Sequence, residues 1–102
     1  MNVRTVATTL GCEGGNCPTT YVDETGGVIV QGFQTGRSEQ VRVPASLLAR
    51  HAELEGGTDW TGPARDDSDG WVIVEGKALD RIDNVVLPDN EALVVVVGPV
   101  IA

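Results

Sequence analysis

Two cysteines, a single histidine and a run of aspartates are the side chains in this chain with chemistry to offer. Cys12 and Cys17 are spaced C-x4-C inside Gly11-Cys12-Glu13-Gly14-Gly15-Asn16-Cys17-Pro18. Zinc needs four ligands and its knuckles favour C-x2-C, so this pair is at best half of a weak metal site. Adding His51, the only histidine, still leaves that site one protein ligand short. A Cys12–Cys17 disulfide is geometrically accessible, because glycines let the loop close. In a reducing compartment such a bridge is labile or regulatory. Two reduced thiols at the start of a hairpin are the plainer alternative. Glu13 is the only charge inside the loop, and its sign raises a thiol pKa and makes a poor nucleophile. Cys12 and Cys17 are therefore expected to act, if at all, as a slow reversible redox pair rather than as catalysts.

The other candidates are weaker. His51 as a general base needs a carboxylate or a nucleophile in reach. Glu53 and Glu55 lie on other faces of the same expected helix, so a packed histidine is the better reading. Asp66-Asp67-Ser68-Asp69-Gly70 has the outline of a calcium loop. Aligned on Gly70, however, its first position is Arg65 and its twelfth is Gly76, where carboxylates are required. Gly11-x-x-Gly14-Gly15 has no P-loop lysine. No catalytic residue, cofactor or metal is expected.

The elements that must carry these side chains are β-rich. Val28-Ile29-Val30-Gln31-Gly32 returns as Val72-Ile73-Val74-Glu75-Gly76, each copy following a turn, Thr25-Gly26-Gly27 and Ser68-Asp69-Gly70. Each is followed by a second valine-rich run meeting a proline, Val41-Arg42-Val43-Pro44 and Val94-Val95-Val96-Val97-Gly98-Pro99. We read this as a degenerate duplication of a strand–turn–strand unit. Residues 2–10 read as a first strand, residues 19–34 as a hairpin, and residues 39–43 as a strand with one buried face. Pro44 suits the first turn of a helix. That helix is expected at 45–55, with Leu47, Leu48, His51 and Leu54 on one stripe and Gly56-Gly57 as its stop. Residues 56–70, acidic and rich in Gly and Asp, read as a linker. Strand 71–76 follows. Lys77 to Asp83 reads as a helical turn, with Leu79 and Ile82 at i, i+3. Pro88-Asp89-Asn90-Glu91 reads as a turn. The run from Ala92 to Val97 reads as a strand buried on both faces.

Composition excludes more than it assigns. Seven basic against fifteen acidic side chains give a net charge of −8. That field repels phosphate backbones and anionic membranes, and no basic cluster offsets it. Direct nucleic-acid binding is therefore not expected. No stretch approaches the ~20 apolar residues of a membrane span. Leu10-Gly11-Cys12 has the outline of a lipoprotein cleavage site, but the region before it is short and carries Thr5, Thr8 and Thr9. A cytoplasmic location is the expectation.

Gly15-Asn16-Cys17-Pro18-Thr19 with Tyr21, then Val28-Ile29-Val30-Gln31-Gly32, then Val41-Arg42-Val43-Pro44 with Leu47 and Leu48, resembles small uncharacterised proteins of actinomycetes such as streptomycetes. In those proteins a GNCPT-type segment leads into a V-x-V-Q-G strand and a V-x-V/I-P-x-x-L end. Leu79 and Leu87-Pro88-Asp89-Asn90-Glu91 match a further D-x-x-A-L segment and L-P-x-x-E turn. The resemblance implies a cytosolic actinobacterial protein encoded near helix-turn-helix regulators. It implies no activity, and it gives Cys12 and Cys17 some weight as a redox or metal pair.

The expected fold is mainly β (α+β): one domain over 1–102, a small barrel or sandwich of six to eight short strands with one helix at 45–55. Two related halves, 18–50 and 70–102, are expected to be joined by the linker 56–70. The expected function is a non-enzymatic acidic interaction module, a regulatory accessory for a basic protein partner, of which a DNA-binding regulator is one kind. Self-pairing as a homodimer is a further partner expectation. The alternative is a thiol switch or weak metal site at Cys12/Cys17. A small enzyme using carboxylates ranks last.

Overall fold

A computed structural model of the chain describes residues 2–9, 17–83 and 85–102. Its elements run β1 (Val3–Thr8), β2 (Thr19–Asp23), β3 (Val28–Gln34), β4 (Gln40–Pro44), α1 (Ala45–Leu54), β5 (Ala64–Ser68), β6 (Trp71–Glu75), β7 (Lys77–Leu79) and β8 (Glu91–Val96). The fold is mainly β with one short helix, as composition and turn spacing imply, and all eight strands join one antiparallel sheet.

The pairings close that sheet on itself. β3 pairs with β8 along one edge and, at its far end, with β4. β8 pairs in turn with β7, which continues β6 through Gly76. β6 pairs with β4, completing a ring. This makes a small barrel rather than two stacked sheets, and closure removes the edges of its most apolar strands. β2 and β5 are hairpin partners of β3 and β6, outside the ring.

The two Val-Ile-Val-x-Gly runs take matching places in these ladders. Val28, Ile29 and Val30 face Val96, Val95 and Val94, whereas Val72, Ile73 and Val74 face Val43, Arg42 and Val41. Beyond the glycine, Phe33 and Gln34 face Arg42 and Val41, and Lys77 and Ala78 face Val95 and Val94. At Gly32 β3 leaves β2 and meets β4 while staying paired with β8, and at Gly76 the chain passes from β4 to β8, each across a close contact. A Cβ on Gly32 would lie 2.8 Å from the Arg42 carbonyl oxygen and 2.5 Å from Val43 Cγ1. A Cβ on Gly76 would run into the Val95 carbonyl and lie 3.2 Å from Val94 Cβ. Glycine is required here for space.

Period-two alternation then sorts the side chains. Val28, Val30, Val41, Val43, Val72, Val74, Val94 and Val96 are all buried in one interior cluster with Leu47 and Leu48 of α1. The opposite face of β2, β3 and β8 carries a second cluster around Tyr21, Ile29, Ile82 and Leu93. β8 is thus covered on both faces, but Val97, expected within it, lies beyond the strand and is exposed.

Pro44 ends β4 and caps α1 in extended geometry. Gly56, at φ +88°, ends the helix. Its N–H donates to the Glu53 carbonyl while that of Gly57 donates to Ala52, the paired closure of a Schellman motif. Leu47, Leu48, His51 and Ala52 are buried. Leu54, placed on the stripe from sequence, is 51% exposed because it falls in the last turn, past the body of the barrel.

Two expectations need correction. Residues 56–70 are not a linker. Thr58 and Thr61 donate backbone hydrogen bonds to Ala102 and Val100, and residues 64–68 form β5. Lys77 to Asp83 does not begin as a helical turn. Residues 77–79 pair with β8, because that strand offers an open edge to the chain leaving Gly76.

Candidate functional site

The β5–β6 hairpin carries three exposed aspartates, Asp66, Asp67 and Asp69. Asp69 and Gly70 have φ of 43° and 85°, and Ser68 pairs with Trp71. A two-residue Asp-Gly loop with both residues left-handed is the turn that matches strand twist. All five residues of β5 are exposed, and β5 ends the strand order, so its outer edge has no neighbour among the described strands. The ladder slips between Asp66 and Ser68, and Asp67, at the slip, reaches the Arg42 guanidinium with Nε–Oδ2 at 2.7 Å. That guanidinium sits 4.2 Å from the centre of the Trp71 ring, a cation–π contact. Asp66, Asp67 and Asp69 line, with Trp71, an open cleft of about 310 Å³. The chemistry available is capture of a Lys or Arg side chain beside a strand edge.

Glu91 defines a second place. It begins β8 and shares the face of Leu93 and Val95, so its side chain turns into the second cluster and only 2% of the residue is exposed. The Gln31 amide donates to Glu91 Oε1 at 3.1 Å, and the Tyr21 hydroxyl donates to Gln31 Oε1 at 2.7 Å. Oε2 has no hydrogen-bond partner among the described residues. Burial raises the Glu91 pKa above the usual carboxylate range, against the smaller opposing effect of the Gln31 bond.

His51 is structural. It is 1% exposed, its Nδ1 lies 2.7 Å from Thr20 Oγ1, and its ring meets Trp60 edge-on. Thr20 Oγ1 also accepts from the Ala7 N–H. Thr20 Oγ1 thus ties both α1, through His51, and β1, through Ala7, to β2. Burial lowers the His51 pKa.

These two shifts act on stability with opposite signs. The folded Glu91 holds a proton that the unfolded chain has released, so its contribution is present at low pH and is lost as pH rises through the folded pKa. The folded His51 resists a proton that the unfolded chain accepts, so its contribution is lost as pH falls below about 6.5. Glu91→Gln is accordingly expected to stabilise the protein relative to wild type at pH 8, with the advantage shrinking toward pH 4. Urea melts of both proteins across that range check this, and a difference independent of pH would contradict it.

Cys17 is disulfide-bonded, and its carbonyl accepts from the Thr19 hydroxyl at 2.9 Å. Cys12 lies outside the described residues. Among the described residues no group of three or more His, Cys, Asp or Glu side chains is placed to hold a metal, and none of their helices is long and apolar enough to cross a membrane. Arg37, Arg42 and Arg50 belong to a turn, to β4 and to α1, and Arg42 is already engaged with Asp67.

No protein-family model, curated protein or solved structure matches the chain. Sequence reasoning did not single out Glu91, which sat in what read as a polar turn. Its signal was parity: Glu91, Leu93 and Val95 alternate along a strand already assigned two buried faces.

Proposed function

We propose that this protein is an acidic interaction module that takes an extended basic segment of a partner protein along β5, as a regulatory accessory. The supporting observation is the coincidence of an open strand edge with three aspartates converging on one cleft. Backbone pairing along an edge gives affinity, and side-chain seats beside it give selectivity. Charge decides the kind of strand. Two copies of this chain pairing edge to edge bring Asp66 and Asp67 of each together, and like charges opposite one another destabilise a ladder. A lysine-bearing strand reverses that sign, and the overall charge of −8 steers it in. A DNA-binding regulator with a basic tail has this chemistry.

The test is fluorescence anisotropy with a labelled peptide of alternating Lys and Val. Binding is expected to weaken steeply with salt and to fall at least about tenfold in the Asp66→Lys/Asp69→Lys double variant. A Glu/Val peptide and random duplex DNA are expected not to bind. Equal affinity for the Glu/Val peptide, no loss in the double variant, or micromolar salt-sensitive DNA binding would sink the proposal.

A second reading, thiol exchange at Cys12 and Cys17, is favoured by the disulfide at Cys17. It requires an intramolecular bridge that reductant opens without unfolding the chain. Mass spectrometry of non-reduced digests, beside circular dichroism with and without reductant, decides it, and an intermolecular bridge or loss of fold would remove it.

A further inference from the structure

We propose that Arg42 is an internal competitor at the β5 edge: its guanidinium fills a seat, formed by Asp67 and Trp71, that an arginine of the partner segment takes in its place. This role rests on the reading of β5 as a docking edge and adds the side chain which that edge selects. Three contacts define the seat. Arg42 Nε donates to Asp67 Oδ2 at 2.7 Å, Nη2 donates to Ser68 Oγ at 3.4 Å, and the guanidinium carbon lies 4.2 Å from the centre of the Trp71 ring. A carboxylate, a hydroxyl and an aromatic face suit a planar guanidinium better than an ammonium. Phe33 packs against Trp71 with ring centres 5.8 Å apart, so the ring has support besides Arg42.

The seat is within reach from the open side. Arg42 starts on β4 and crosses β6 to meet Asp67 on β5, two strand spacings of roughly 4.8 Å each. An arginine on a strand added beyond β5 is one spacing from Asp67 and two from Trp71, a span that Arg42 itself covers. The present occupant can also leave. The Arg42 and Asp67 side chains are 33% and 40% exposed, and exposed pairs are weak. Arg65, across Ile73 from Arg42, engages Glu75 at 3.7 Å instead. While Arg42 is seated it neutralises Asp67, and the partner's apparent affinity falls in proportion to the fraction of molecules with the seat open.

The experiment is fluorescence anisotropy of labelled Arg/Val and Lys/Val peptides with the whole chain, as wild type, Arg42→Gln, Arg37→Gln and Arg42→Gln/Asp67→Asn. Arg42→Gln is expected to bind the Arg/Val peptide about fivefold more tightly than wild type, and to gain less with Lys/Val. Arg37→Gln, in the exposed turn between β3 and β4, makes the same change in net charge and is expected to stay within about twofold. The double variant is expected to lose the gain. In the wild-type protein, where no variant has to fold, saturating Arg/Val peptide is expected to shift the Arg42 Nε–Hε resonance. Where wild type binds, the β5 reading stands, and four results would overturn the role of Arg42 alone. They are a gain in Arg42→Gln no larger than in Arg37→Gln, an equal gain with Lys/Val, a gain that survives Asp67→Asn, and an unmoved Nε–Hε signal. No binding of either peptide to wild type or to Arg42→Gln would overturn both readings.

Discussion

Gly32→Ala is expected to lower stability by about 3 kcal/mol or more, with Gly76→Ala close behind. At about 4–8 °C per kcal/mol for a chain of this size, the melting temperature falls by at least about 12 °C. The new methyl group on Gly32 meets the Arg42 carbonyl oxygen and Val43 Cγ1 at distances no real Cβ tolerates. Neither neighbour can retreat, because Arg42 and Val43 are held on their other edge by Ile73 and Val72. Gly36 is the control. It has φ +94° and nothing near its would-be Cβ, so Gly36→Ala carries only the left-handed backbone strain of about 1–2 kcal/mol. If thermal melts show Gly32→Ala and Gly76→Ala losing no more than Gly36→Ala, the two close crossings are not what holds the barrel shut.

Leu48→Ala is expected to cost about 2–4 kcal/mol. Leu48 is 3% exposed and packs, with Leu47, against the interior valines, so truncation leaves a cavity where α1 meets the barrel interior. The helix has few other anchors: His51 to Thr20, and the Arg4–Glu55 ion pair, whose partners lie on β1 and at the helix end. In urea the midpoint should fall with the slope unchanged, because the same surface is exposed on unfolding. Leu54→Ala, at the exposed end of the same helix, should stay within about 0.5 kcal/mol of wild type. Equal losses at the two leucines would mean that the helix is not docked through Leu47 and Leu48.

The parts of this fold that could be read from sequence are those whose local chemistry agrees with their packing. Val41 to Val43 and Ala45 to Leu54 carry period-two and period-3.6 patterns, Val28 to Gln34 is a β-branched run after a Gly-Gly turn, and each forms the expected element. β5 was hidden because Ala64-Arg65-Asp66-Asp67-Ser68 buries nothing. Its strand geometry comes from β6 and from the Asp69-Gly70 turn, a hairpin signal that the acidic composition obscured. β7 has only three residues, and the Leu79–Ile82 spacing imitates a helix where both side chains serve the second cluster. Asp66, Asp67 and Asp69 were visible as a run, but their convergence on one cleft with Trp71 depends on the hairpin and could not be read before it. Glu91 was missed for the converse reason. A glutamate after Pro-Asp-Asn reads as solvated, and only the register of β8 against β3 turns it inward beside Gln31.

Strand addition along β5 is most directly tested by amide hydrogen exchange of the chain, free and saturated with the Lys/Val peptide. The β5 amides that face away from β6 have no ladder partner in the free protein and should exchange fast. Bound peptide should slow them by at least about tenfold while β1, at the other end of the sheet, stays unchanged. Protection spread evenly over the surface, or none on β5 at saturating peptide, would contradict the account.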